Sequence, residues 1–262
     1  MSIIYYSREN NRTKFVELVL EQFINKLGDK LFIKPNIVSH EPYPTTTHLE
    51  MITAVITCLN DRELAVGDAS AVDCLGFNVK KSAINDICNQ YNVPLIDLYS
   101  ERMKVMRTET NYKFNVSQVP LNYDSIISLP VLKVHGHCQM TGALKCAFGY
   151  LSKGERLKMH TGIKNIHRGI AELNTIFKPT VTIMDAIETL RKTNEVRHGG
   201  KKAELNILLA SDDPVALDIY GLQLLKEIEP KLANKTPQDI KHLKYAINLG
   251  LGSESFELIE LK

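Results

Sequence analysis

The sequence has no tryptophan, and Phe, Tyr and Trp together make up 7% of its 262 residues. Aromatic platforms for stacking nucleic-acid bases are therefore sparse. No stretch approaches the ~20 consecutive apolar residues of a membrane-spanning helix, so no membrane partner is expected. The amino terminus, MSIIYYSRENNRTKF, turns polar too early for a secretory signal. There are five cysteines, an odd number without regular spacing. That argues against a disulfide scaffold and for a reducing, cytoplasmic setting. The C-x-x-C spacing of zinc and iron–sulfur modules is missing. So are the glycine-rich phosphate loops G-x-x-x-x-G-K-[ST] and G-x-G-x-x-G, and the G-x-S-x-G elbow of serine hydrolases.

What remains is an ordinary globular composition, 44% hydrophobic and 24% charged, with a net charge of +2. The charge is unevenly placed. Residues 133–168 carry seven Lys/Arg (133, 145, 153, 156, 158, 164, 168) against the single acid Glu155, together with four of the eight histidines. A local excess of this sign suits an anionic partner; a solvated basic face is the plainer reading.

Hydrophobic periodicity predicts strands at 2–6, 31–33, 63–66, 94–98, 125–129, 180–184 and 205–209. Helices are predicted at 12–27, 48–60, 78–91, 163–176, 214–228 and 236–248, with a short one within 140–149 and a β excursion in 100–122. This alternation predicts an α/β fold: a mainly parallel or mixed central sheet with helices on both faces. Residues 1–262 read as a single domain, with a bilobed form left open.

In such a sheet ligands sit beyond the carboxyl ends of strands. Five predicted strands end in polar groups: Lys34-Pro35-Asn36, Gly67-Asp68-Ala69-Ser70, Lys133 to Cys138, Asp185, and Ser211-Asp212-Asp213. For the last, helix capping before Pro214 is the favoured reading. Lys34, Asn36, Thr47, His48, Asp68, His160 and Asp185 are candidates for holding a small anionic substrate. Thr45 to His48 equally suit plain capping. Asp68 and Asp185 could instead orient a base or bind a cation.

Lys133, His135 and His137 alternate, and would face one way if the strand persisted. With Lys145 they could carry acid/base or Schiff-base chemistry; His135, Lys133 and Lys145 are the candidate catalytic groups. His135, His137, Cys138 and Cys146 are a candidate transition-metal set, although their spacing fits no standard ligand pattern, and a buried structural role is the alternative for Cys146.

Four blocks in order resemble the DUF362 family: FIKPNIV (32–38), SIISLPVLKVHGHCQMTGALKCAFGYL (125–151), TIMDAI (182–187) and ASDDPVALDIYGLQLL (210–225). HLKYAINLGLGS (242–253) resembles the family's closing segment. The resemblance implies a fold and a site more than a reaction. Family members are often fused to ferredoxin-like modules, which implies a separate electron-transfer partner for a chain without one. The family pattern carries asparagine at the position of Cys146. The family is also distantly similar to lactate racemase-type proteins, an analogy of fold.

The expectation is a cytoplasmic enzyme that binds a small anionic substrate or cofactor in a Lys/His-rich cleft, with acid/base or redox chemistry on a carboxylate or phosphate compound. Two alternatives stand beside it: a metal-dependent or iron–sulfur-linked redox protein, and a nucleic-acid- or nucleotide-binding protein using residues 133–168. Only Phe148 and Tyr150 interleave those basic residues, which counts against nucleic acid.

Overall fold

The computed structural model describes residues 1–262. In chain order its elements are β1 (Ser2–Ser7), α1 (Arg12–Phe23), β2 (Lys30–Pro35), α2 (Leu49–Cys58), β3 (Glu63–Asp68), α3 (Ile84–Gln90) and β4 (Leu95–Asp97). A hairpin, β5 (Met103–Arg107) and β6 (Lys113–Ser117), precedes β7 (Ser125–Leu129). A second hairpin, β8 (Lys133–His135) and β9 (Gln139–Thr141), leads into α4 (Ala143–Cys146), α5 (Lys153–His160) and α6 (Ile166–Ile176). The chain ends with β10 (Val181–Arg191), β11 (Lys201–Ser211), α7 (Pro214–Ile228), α8 (Lys241–Asn248) and β12 (Phe256–Glu260).

Eight strands form one sheet in the order β12-β1-β11-β10-β7-β2-β3-β4. The block β10-β7-β2-β3-β4 is parallel throughout. β11 runs antiparallel to both of its neighbours, so the sheet is mixed and mostly parallel. The alternation of side chains along each strand divides the apolar residues between two cores. Leu31 and Ile33 of β2 face one side with α1, α2 and α3, whereas Phe32 between them faces the other with α4, α6, α7 and α8. Ile127 and Leu129 oppose Ile126 in the same way. This period of two is what a sheet covered on both faces requires.

Helix starts follow local capping chemistry. Asn11 accepts the Lys14 amide, Ser152 that of Glu155, Asn165 that of Arg168, and Asp213 those of Val215 and Ala216; each satisfies an otherwise orphaned donor. The Asp213 reading as a cap thus describes what that side chain does. No helix is long and apolar enough to cross a membrane.

Several predicted elements differ. The helix expected at 78–91 forms only from Ile84; Asn78 instead caps a single 3₁₀ turn at Val79–Lys81. The helix expected at 236–248 begins at Lys241, because Thr236 and Asp239 close a capping box around a separate 3₁₀ turn. β10 and β11 are each eleven residues long, extended beyond the predicted segments by pairing with one another. β12, whose outer face is exposed and whose apolar pattern is weak, has no counterpart in the sequence reading; pairing with β1 creates it.

Candidate functional site

β2, β3 and β10 all run toward one rim of the sheet, and the segments that follow them enclose a cavity of ≈ 400 Å³. Lys34 and Asn36 come from the end of β2, Asp68 and Asp73 from beyond β3, and Glu195 from beyond β10. His135 and His137, the α4 segment with Lys145, Cys146 and Gly149, and Arg156 and His160 of α5 complete the wall.

Lys34 is 1% exposed and Asp68 4%. Their ion pair measures 2.7 Å, and the second carboxylate oxygen of Asp68 accepts the Ile37 amide at 2.6 Å. Lys34 Nζ also donates to the Pro35 carbonyl. Its charge is therefore balanced within the protein. Gly149 is what allows this packing: a Cβ there would lie 2.1 Å from Asp68 Oδ1 and 2.6 Å from Lys34 Nζ. The glycine before Asp68 serves a different purpose, since a Cβ at Gly67 would strike the Phe32 ring.

Lys145 and Arg156 are not balanced in this way. Neither has a carboxylate partner, and they flank the same ring, Lys145 Nζ at 5.2 Å and Arg156 Cζ at 5.5 Å from the centre of Phe148. Arg156 donates two hydrogen bonds, to the carbonyls of Ser70 and Ala69, and its buried Nε has no acceptor. Burial lowers the pKa of Lys145, with the nearby Arg156 charge acting in the same direction. α4 itself is held from two sides. Asp218 of α7 accepts the amides of Ala143 and Leu144 at 2.7 and 3.1 Å, and Asn174 of α6 donates to the Leu144 carbonyl.

His135 also lines the cavity. Its Nδ1 accepts the backbone N–H groups of His137 (3.1 Å) and Cys138 (3.3 Å). That assigns the ring proton to Nε2. Burial holds the pKa of His135 well below the usual histidine value, reinforced by Lys145 and Lys133. His135 is thus a neutral hydrogen-bond donor at physiological pH. His160 is also shifted down, by burial and then by Lys145.

The remaining candidates fall elsewhere. Lys133 is 1% exposed and donates to the Thr45 carbonyl at 2.6 Å, outside the cavity wall. The strand that was to align it with His137 stops at His135, and His137 lies in the hairpin turn. Thr47 donates to the Leu129 carbonyl and accepts the Asn36 amide, while His48 caps α2; both line a separate cavity of ≈ 250 Å³. Asp185 does not end a strand, because β10 continues to Arg191. It is fully buried and bonded to Arg12, Tyr43 and the Ile187 amide, a structural junction. β11 runs the other way, which carries Asp212 and Asp213 to the opposite end of the sheet.

The proposed metal set does not converge. Cys146 Sγ lies 3.8 Å from Lys34 Nζ and from the Lys34 and Pro35 carbonyls, and burial raises the pKa of both Cys146 and Cys138. Asp73, Glu195 and His198 at the cavity rim bring their ligand atoms within 4.8 Å of one another. Arg197 already occupies that space, 3.0 Å from Asp73 and 2.7 Å from Glu195.

The basic segment 133–168 does not form a surface stripe either. Lys133 and Arg156 are buried, Lys158 and Lys164 pair with Glu155, and Arg168 pairs with Glu172. Arg156 and Asp218, like Asp73 and Glu195 of the wall, are site residues that sequence reasoning passed over. Arg156 looked like one of many cations, and Asp218 lay inside the matched ASDDPVALDIYGLQLL block without any local pattern to mark it.

The fold is similar to that of the lactate racemase apoprotein from Thermoanaerobacterium thermosaccharolyticum, at a TM-score of 0.52 and 14% identity, covering 87% of this chain and 58% of that one. A solved protein from Thermotoga maritima is more distant, at a TM-score of 0.43 and 11% identity, covering 82% and 57%. Among curated proteins, a thylakoid-associated protein of Synechocystis sp. is 24% identical over 209 residues. That alignment takes in 77% of this chain and 64% of the relative's length. A family model described as a domain of unknown function matches residues 31–223, the greater part of the sequence, and the chain belongs to that family, DUF362.

Proposed function

We propose that the cavity binds a small anionic compound and carries out acid/base chemistry on it. One observation carries this reading: Lys145 and Arg156 line the same cavity, flank the same Phe148 ring and have no acidic partner. Two cations held together without an ion-pair contact cost free energy that a bound carboxylate or phosphate would recover; Glu195 acts on Lys145 in the opposite sense but does not outweigh burial. The planar, five-donor guanidinium of Arg156 suits the role of anchor. Lys145 is the group that titrates, and its free amine can accept a proton from a bound compound. His135, neutral with its proton on Nε2, suits donation to an oxygen on which negative charge develops. A neutral histidine with Nδ1 already occupied is poorly placed to act as the base, so that part passes from His135 to Lys145.

The nucleic-acid reading has lost its basic stripe, and the metal reading its ligand geometry. Binding of a simple anion tests what remains. Millimolar oxalate or inorganic phosphate at low salt should raise the thermal unfolding midpoint of the wild-type protein by several degrees, as expected for a ligand well above its Kd. The Lys145→Ala/Arg156→Ala variant should show no such rise. An equal rise in both proteins would place anion binding elsewhere and end the proposal.

A further inference from the structure

The same cavity has a feature that simple proton transfer does not require. Lys145 sits on a segment held rigidly by Asp218 and Asn174, and its Nζ has neither an ion-pair partner nor a hydrogen-bond acceptor within the protein. The other buried lysines nearby are engaged, Lys34 with Asp68 in the cavity wall and Lys133, outside it, with the Thr45 carbonyl. The same cavity is lined by a neutral donor, His135, whose orientation is fixed by two backbone amides.

Resting on the anion-binding reading above, we infer that the substrate is a small aldehyde or ketone bearing a carboxylate or phosphate, and that Lys145 forms an imine with its carbonyl carbon. The free amine attacks the carbonyl carbon, and the C=O π electrons move to oxygen, which the His135 Nε2–H stabilises as charge develops. The resulting carbinolamine loses its hydroxyl oxygen as water, which carries away the two amine hydrogens, and the nitrogen lone pair closes the C=N bond. Amine and carbonyl thus become imine and water, with no change of oxidation state and no further reactant. Arg156, a permanent cation beside the same Phe148 ring, holds the anionic group and leaves Lys145 free to react. Burial and the neighbouring Arg156 charge lower the pKa of Lys145, so its free amine is more available than that of an exposed lysine.

The test uses pyridoxal 5′-phosphate, an aldehyde that carries a phosphate, with the full chain at pH 7. Borohydride reduction fixes any imine, and peptide mass mapping locates it. Lys145 should be modified first and predominantly at substoichiometric reagent. Lys145→Arg should abolish that product, and Lys153→Arg, at an exposed position, should leave it unchanged. Modification spread over exposed lysines with Lys145 untouched would overturn the imine. The anion-binding reading is separated by pyridoxal, which lacks the phosphate. Arg156→Ala should slow labelling of Lys145 by pyridoxal 5′-phosphate about tenfold more than it slows labelling by pyridoxal, the extra loss expected for one charged contact. Equal rates for both reagents and both proteins would keep the Lys145 nucleophile and refute the anion anchor.

Discussion

Replacement of Asp68 by alanine is expected to destabilise the protein by about 3–5 kcal/mol, the usual cost of leaving one member of a buried ion pair uncompensated. The Lys34 ammonium is shielded from water: it is 1% exposed, and Gly149 and the carbonyl of Pro35 pack around it. The same substitution strips the Ile37 amide of its acceptor at 2.6 Å. Denaturant unfolding of Asp68→Ala, Lys34→Met and the double variant measures this. The double variant should recover at least half of the loss, because a buried pair replaced as a whole is far less costly than a pair broken in two. A loss below about 1 kcal/mol in Asp68→Ala would mean that Lys34 is not confined as described, since exposed ion pairs are worth no more than that.

The second large effect is a pH dependence centred on Lys133. Burial lowers its pKa from 10.5 to about 7, with Lys145 adding to the shift. In the unfolded chain Lys133 keeps its proton up to the ordinary value, so folding releases a proton between about pH 7 and 10.5. Over that window the unfolded state binds more protons, and stability must rise with pH. Below about pH 7 both states are protonated and the penalty for burying the charge is felt in full. Lys133→Met, which keeps the volume and never ionises, should therefore be more stable than the wild type at pH 6, by on the order of a few kcal/mol. The loss of the hydrogen bond to Thr45 subtracts about 1 kcal/mol from that gain. Unfolding free energies of the two proteins from pH 6 to 10 should converge as the pH rises. Parallel profiles would show that Lys133 titrates as an ordinary lysine.

The sequence made the sheet legible because β2, β3, β4 and β7 are short apolar runs that end at or just before Pro, Gly or Asp, and the strands alternate with amphipathic helices. Lys34-Pro35-Asn36, Asp68 and the 133–138 segment were recognisable as strand ends, and they do meet at one rim. Asp185 was misplaced for a reason of pairing: β10 and β11 extend one another into long strands, so a polar residue that looked terminal lies at the centre of the sheet. Lys133 was assigned to catalysis because its neighbours are histidines, yet its side chain reaches a backbone carbonyl on the far side of the wall. Single-sequence patterns report which residues share a strand, not how far a side chain travels before it finds a partner. Arg156 was invisible for the complementary reason. What distinguishes it from the cations around it is the absence of an acid, and Glu155 and Glu172 settle that only once the chain is folded.

Titration of the Lys145 side-chain nitrogen by NMR, with and without inorganic phosphate, tests the central claim most directly. In the free protein the amine should lose its proton below the ordinary lysine pKa, as burial and Arg156 require. Phosphate should raise that value, because an anion seated between Lys145 and Arg156 stabilises the ammonium form. An ordinary lysine titration that phosphate does not move would show that these two cations do not share an anion-binding cavity.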